Sequence, residues 1–484
     1  MIAGAYVTKG LICTRNRFLL GFMRLKVLDL EVQKSSTRKV LDFEVQNFLT
    51  LDAYCLTLVT ESGGEHMPKK YLGRPNYLKQ LLAYQDSDLV KIVTGIRRCG
   101  KSTLMLLMVE ELRKQGISEK NIIHMNMESL QYHELMDYMS FYQHIKEGIQ
   151  SPGKHYLFFD EIQTVTGWEK AIESLRLDHD VDIYITGSNA YFLSSQLSTL
   201  LAGRYVEIQM LPLSFKEFLD FHEFESGTSM EERFVRFLQI GGMPVLRQFD
   251  FHLPTIYNTL QGIYSTVILQ DVLQYNEIGD QSLLQKVVAF LSDSIGSINS
   301  PFSIGKVLSS EGEIATGVKG KSGQTVAAKT VDRYISMLEN AYIFYGVQRY
   351  DIKGKQLLKT LEKHYIVDLG FRNMLLGLRD ADRGHALENV VFLELMRRQY
   401  RVSIGKVGDQ EVDFIAQTPQ RKIYIQVAES LLSPDVRERE LRPLMSIPDH
   451  HEKMVLSMDR SFIESQDGIK IVNLLDFLLD DDTF

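Results

Sequence analysis

Apolar and polar positions follow two rhythms along this chain. Between residue 89 and about 210, short β-branched and apolar runs alternate with longer stretches of helical spacing. The short runs are Leu89–Thr94, Ile122–Met127, His155–Phe159, Val181–Thr186 and Tyr205–Gln209. Unbroken apolar runs of this length predict strands covered on both faces, and helices between them predict a parallel sheet. Leu104–Lys114, rich in Leu, Met and Glu, reads as a helix, as does Tyr138–Ile149.

Beyond the sheet the rhythm turns helical. Phe215–Phe221, Met230–Ile240 and Pro254–Tyr275 have apolar residues at helical spacing, with a Gly241-Gly242-Met243-Pro244 turn between them. Leu283–Leu291, the start at Ser303–Leu308 and Thr325–Leu338 read as three helices, and Ile343–Val347 as a strand. Three helices and a hairpin suggest a winged helix. Its candidate phosphate contacts are Lys319, Lys321, Lys329 and Arg333, set against a plain protein-contact role. Residues 1–66 hold no lasting period and are expected to lie outside the core fold, translated upstream of a more natural start at Met67.

The strongest chemical signal sits where the first strand meets its helix. Gly95-Ile96-Arg97-Arg98-Cys99-Gly100-Lys101-Ser102-Thr103 has the P-loop spacing, two glycines bracketing four residues before Lys-Ser. Glycines allow the backbone to wrap a triphosphate closely, and the following helix points its positive end at the phosphates. Lys101 is placed to reach the β- and γ-phosphates, and Ser102 to ligate Mg2+. The expected cofactors are therefore ATP and Mg2+.

A second strand, His155–Phe159, ends in Asp160-Glu161. An acid at a strand's carboxyl end can hold Mg2+, here Asp160, and the next acid, Glu161, can orient and polarise the attacking water. The strand ending at Thr186 leads to Gly187-Ser188-Asn189, so Asn189 or Ser188 is the candidate γ-phosphate sensor. Arg204, before the strand at Tyr205, is a candidate for neutralising γ-phosphate charge, in cis or in a neighbouring subunit.

With GIRRCGKST, LFFDEIQ, TGSNA, LLAGRYVEIQMLPLSFKEF and GGMP in this order, the chain from about 67 to about 460 resembles the prokaryotic AAA-type ATPases that carry a DUF4143 C-terminal domain. The resemblance implies an ATPase core of the ASCE type with Glu161 at the catalytic glutamate position. It also implies a helical lid around Pro254–Tyr275 and a winged-helix unit. The expected fold class is α/β: a P-loop parallel sheet (ASCE/AAA-like), a winged-helix unit and a PD-(D/E)XK-like α/β C-terminal domain. The expected boundaries are 1–66 extension, 67–212 ATPase core, 213–279 lid, 280–360 winged-helix unit and 361–484 C-terminal domain.

The C-terminal segment carries its own constellation. Glu388 on a helix, Asp413 at a strand start and Gln426 on the next strand follow a PD-(D/E)XK nuclease layout, in which acids hold Mg2+ and a lysine activates water. Ala428 stands at the lysine position and cannot do so, which argues against cleavage.

Composition narrows the classes. The chain has 484 residues, too many for one core, and a net charge of −8, so any nucleic-acid contact must come from a local patch. Three widely spaced cysteines, Cys13, Cys55 and Cys99, fit neither a disulfide frame nor a zinc site and suit a reducing cytosol. No apolar run approaches a membrane span, so a cytoplasmic protein with no membrane partner is expected. The leading reading is an ATPase that drives or switches a conformational change, with DNA or a protein as partner. The alternatives are a nucleotide-regulated binding switch with little turnover and an ATP-gated DNA nuclease. A small-molecule kinase is remote, because the Asp160-Glu161 pair suits water activation better than transfer to a hydroxyl.

Overall fold

The strand β1 (Val90–Thr94) is buried at every position and lies inside a five-stranded sheet. The computed structural model describes residues 72–190, 201, 203–273, 280–316, 326–379, 383–460 and 465–480. The expected extension 1–66, Lys319 and Lys321 lie outside the described residues. The sheet's other strands are β2 (Ile122–Asn126), β3 (His155–Asp160), β4 (Val181–Gly187) and β5 (Tyr205–Gln209). Their order is β2-β3-β4-β1-β5 and every neighbouring pair is parallel. This is the mixed α/β arrangement that the alternating pattern predicts, and β4 separates the P-loop strand from the strand that ends in Asp160.

Alternation along the strands decides which helix covers which face. Ile92, Leu157, Phe159, Ile183 and Ile185 share one core with Phe141, Ile145, Ile172 and Leu175, from the helices Tyr138–Gly148 and Trp168–Asp178. Val93, Phe158 and Tyr184 face the other way, against Leu104, Met105, Met108 and Leu112 of the P-loop helix Lys101–Lys114. The one charged residue within β1, Lys91, is fully buried and paired with Asp182. Tyr184 Oη donates to the same carboxylate at 2.8 Å, so the charge is compensated at the amino end of the sheet.

After β5 come the helices Phe215–Phe221 and Met230–Ile240. Each is opened by a serine capping box, Ser214 with Glu217 and Ser229 with Glu232. The helix Leu253–Thr266 continues into a π-helical turn, Val267–Leu273. Helices Gln281–Asp293, Pro301–Thr316 and Ala328–Asn340 come next in the chain.

The remaining strands build one nine-stranded mixed sheet from β6 (Ile298–Asn299), β7 (Phe344–Asp351), β8 (Gln356–Ile366), β9 (Arg401–Val407), β10 (Gln410–Gln417), β11 (Lys422–Ala428), β12 (Glu452–Ser457), β13 (Ser465–Gln466) and β14 (Ile469–Asn473). The hairpin expected as a wing, β7 and β8, is thus continuous with the C-terminal strands through the parallel pairing of β7 with β9. The expected boundary at 360/361 falls inside β8, and a single apolar core runs from Leu81 through Val288 and Phe344 to Leu478. A shared core resists division because neither part could bury its apolar face alone. The GGMP turn joins it too: Gly242 N donates to Asp368 Oδ2 at 2.6 Å.

Candidate nucleotide-binding site

The P-loop leaves β1 under tight steric limits. Gly95 has φ +136°, and a Cβ there would stand 2.1 Å from the Met210 carbonyl oxygen, so only glycine fits. That closeness stems from the sheet, because Met210 N donates to Thr94 O at 2.8 Å as β5 leaves it. Gly100, at φ +108°, and Arg98, at φ +66°, complete the turn into the helix. From outside, buried Arg74 braces it. Its guanidinium donates to the Cys99 carbonyl at 3.2 Å and the Leu211 carbonyl at 2.7 Å, and pairs with Glu217 at 2.6 and 2.8 Å.

Lys101 is 4 % exposed and its Nζ donates to the carbonyls of Gly95 at 2.9 Å and Ile96 at 3.3 Å. The same ammonium lies 3.8 Å from Glu161 Oε1. Ser102 bonds the Asp160 carboxylate through its hydroxyl. Asp160 also accepts from Thr186 Oγ1 on β4, and from Asn126 Nδ2 at 3.4 Å on β2. The two adjacent acids are tuned in opposite directions. Burial, then the neighbouring Glu161 charge, raises the Asp160 carboxyl against Ser102, Thr186 and Lys101. Burial would raise Glu161 as well, but Lys101 and Arg97 hold it below the usual carboxylate range. Glu161 takes φ +51° at the strand exit, its N–H donates to Thr186 Oγ1 at 2.9 Å, and Gln163 donates to its carboxylate.

The sensor candidates divide. Ser188 lies beside Glu161 and donates to Asp271 Oδ1 at 3.2 Å. Asn189 donates to the Asp271 carbonyl at 2.7 Å. Asp271, in the π-helical turn, also receives the Arg97 side chain, and Arg97 reaches Glu128 at 3.1 Å. Sequence reading counts Arg97 only as part of the loop backbone and misses Asp271, Glu128, Thr186 and Arg74. An arginine between the two P-loop glycines is the one signal that could have been used; a single Asp in Val267–Leu273 gives none.

Arg204 is not brought to this cleft. It precedes β5, and its carbonyl accepts from Val90 N at 2.9 Å, while Val90 pairs with Tyr205. That places it at the amino edge of a parallel sheet, about 13 Å along β1 from the P-loop. Its guanidinium pairs instead with Glu173. A cis role at the γ-phosphate does not fit this geometry.

The C-terminal constellation does assemble, but as a closed ion network. Asp413 N donates to Gln426 Oε1 at 3.3 Å, and Val427 N donates to Asp413 Oδ2 at 2.8 Å. Lys363 from β8 lies 2.8 Å from Glu388 and 2.7 Å from Glu411, and Tyr365 Oη also donates to Glu388. Burial, then the Glu388 charge, pushes Asp413 well above its ordinary range. Ala428 is buried among apolar side chains. A lysine does enter the cluster, from β8 rather than from the position of Ala428, but its ammonium is paired with Glu388 and Glu411. Lys329 and Arg333, expected as phosphate contacts, are exposed on the helix Ala328–Asn340.

The donor set at the P-loop fits Mg2+. Hydroxyl and carboxylate oxygens of Ser102 and Asp160 already meet beside the loop, and a hard cation prefers oxygen ligands. No helix among the described residues is long and apolar enough to cross a membrane.

The model of an AAA domain matches residues 87–219, and that of a domain of unknown function, DUF8612, matches residues 231–382. The second match overturns the expectation of DUF4143: the ordered motifs that suggested it lie mostly in the ATPase half, and an ATPase core does not specify which C-terminal domain is attached to it. An uncharacterized protein of Haemophilus influenzae is 38% identical over 415 residues, covering 85% of this chain and 100% of the relative. An uncharacterized protein of Methanocaldococcus jannaschii is 26% identical over 368 residues, covering 73% of this chain and 77% of the relative. Among solved structures, a Walker-type ATPase of Pyrococcus abyssi is similar with a TM-score of 0.45 and 12% identity, over 64% of this chain and 97% of that one. This chain belongs to one family with the Haemophilus influenzae protein, and its residues 87–219 match the AAA domain and carry a P-loop ATPase-like fold.

Proposed function

We propose that the chain binds ATP with Mg2+ in this cleft and hydrolyses it to ADP and phosphate, using the event to switch the contact between the P-loop and the Val267–Leu273 turn. The observation that carries this reading is the convergence of Lys101, Ser102, Asp160 and Glu161 at one carboxyl sheet edge, with Lys101 3.8 Å from Glu161. The backbone N–H groups of 95–103 and the Lys101 ammonium hold the phosphates. Ser102 and Asp160 would hold Mg2+, which supplies charge neutralisation at the β- and γ-phosphate oxygens when bound.

Glu161 orients a water in line with the γ-phosphorus. As the water oxygen bonds to phosphorus, Glu161 accepts its proton, and the bond to the β-phosphate bridging oxygen breaks to release ADP. Arg97 sits on the same loop and is held by Asp271. A γ-phosphate competes for that guanidinium, and its loss by hydrolysis returns Arg97 to Asp271. Ser188 and Asn189 feel the same exchange through their bonds to Asp271.

Turnover of ATP by the full chain tests the reading. Lys101→Ala should lose binding. Glu161→Gln should keep binding and lose turnover by on the order of 10²-fold or more. Undiminished turnover in both variants would remove the assignment. The Arg97–Asp271 latch also favours a second reading, a switch with little turnover. In that case wild-type protein retains unhydrolysed ATP, and Glu161→Gln changes little.

A further inference from the structure

We propose that Glu339, Glu362 and His364 form a binding site for one divalent transition-metal ion of the Zn2+ class, separate from the P-loop. Glu362 and His364 stand two residues apart on β8 and so share a face, and Glu339 reaches them from the end of the helix Ala328–Asn340. One donor atom from each lies within 4.8 Å of the others, and His364 Nε2 is 3.9 Å from Glu339 Oε1.

Two further observations point to a ligand. First, His364 is 3 % exposed, and neither of its ring nitrogens has a hydrogen-bond partner. Buried polar atoms are nearly always bonded, so this imidazole lacks the partner that its position demands. Second, Gly346, opposite His364 in the β7–β8 ladder, leaves the space open. A Cβ there would stand 2.2 Å from Glu339 Oε1 and 3.3 Å from Glu362 Oε2.

One imidazole and two carboxylates suit Zn2+ or Mn2+, whereas Ca2+ and Mg2+ favour sets made of oxygen alone. Zinc bonds of about 2.0–2.1 Å in a tetrahedron set donors roughly 3.4 Å apart, so the three groups need draw in by only about 1 Å. Glu339 and Gly346 also line a cavity of about 320 Å³, from which water can complete the coordination. The site lies close to the nucleotide machinery: Asn340, next to Glu339, accepts a hydrogen bond from Ala190 N at 2.7 Å, directly after Asn189. A bound ion fixes the helix end on which that segment rests.

The test uses the full chain, stripped with a chelator and titrated with Zn2+ in the absence of nucleotide. About one Zn2+ per chain should bind, with Co2+ giving the visible bands of a site of low coordination number. His364→Gln and Glu362→Gln should each weaken binding at least about tenfold, and Gly346→Ala should weaken it by crowding Glu339. Lys101→Ala should leave it unchanged, which separates this site from the P-loop. Circular dichroism of each metal-free variant checks the fold. Should His364→Gln not fold, the half-buried Glu362→Gln decides alone. Absence of zinc binding in the wild type, or equal binding in the folded variants, overturns the proposal.

Discussion

Arg97 Nε lies 2.9 and 3.1 Å from the two carboxylate oxygens of Asp271, a residue 174 positions later in the chain. The pair ties the phosphate loop to the π-helical turn Val267–Leu273. Asp271 is 1 % exposed and also takes the Ser188 hydroxyl, while its carbonyl takes the Asn189 amide. Three segments that never meet in sequence therefore share one residue.

Removing Arg97 leaves that carboxylate buried without its cation. Arg97→Ala should destabilise the fold by about 3 kcal/mol or more. Asp271→Asn should cost less, because a neutral amide still bonds Ser188. The double variant should fall short of the sum by about 0.5–3 kcal/mol. Denaturant titration of the four proteins reads this coupling, and strict additivity would mean that the pair is energetically idle.

Acidity offers a second handle on the same residue. Burial pushes Asp271 up to about 6 from its ordinary 3.8, against the pull of Arg97 and Lys101 and with the repulsion of Glu161. Between those values the folded chain binds more protons than the unfolded one. The Asp271 contribution to stability is therefore greatest below about pH 4, declines through about pH 6 and is constant above. Unfolding free energies measured across that window should fall less steeply with pH in Asp271→Asn than in the wild type. Identical slopes would contradict the raised carboxyl.

Arg74 is a support that no motif announces. It spans the Cys99, Leu211 and Pro212 carbonyls and the Glu217 carboxylate, all buried. Arg74→Ala strands Glu217 and should cost about 3–5 kcal/mol. Arg74→Ala with Glu217→Gln should recover part of the loss. Thermal unfolding measures both, and an Arg74→Ala protein as stable as the wild type would show that the loop needs no brace.

The position of Arg204 predicts a small effect. It lies at the sheet's amino edge on Glu173, away from the cleft. Arg204→Ala should leave ATP turnover per chain within about twofold, as for a surface change distant from the chemistry. A loss of orders of magnitude would mean that Arg204 serves a neighbouring chain.

The local text carried much of the ATPase half. The G-x-x-x-x-G-K-S spacing, the apolar runs and the Asp160-Glu161 strand end each depend on neighbours in sequence, so they could be read directly. The sequence reading took Arg204 toward the γ-phosphate, although a residue just before a parallel strand sits at the opposite edge of the sheet. The nuclease layout of Glu388, Asp413 and Gln426 was also readable, but its meaning turned on Lys363, which arrives from β8.

Spacing and periodicity alone determined the parallel sheet, the phosphate loop and its two acids, because strand, turn and helix preferences act over a few residues. Only the tertiary structure decided the rest. It inserted β4 between β1 and β3, so that Thr186 meets Asp160, and it brought Asp271 to Arg97. It also ran one core and one nine-stranded sheet through the expected domain boundary. Those outcomes depend on which distant faces exclude water together, and burial sums over the whole chain rather than over any stretch of it.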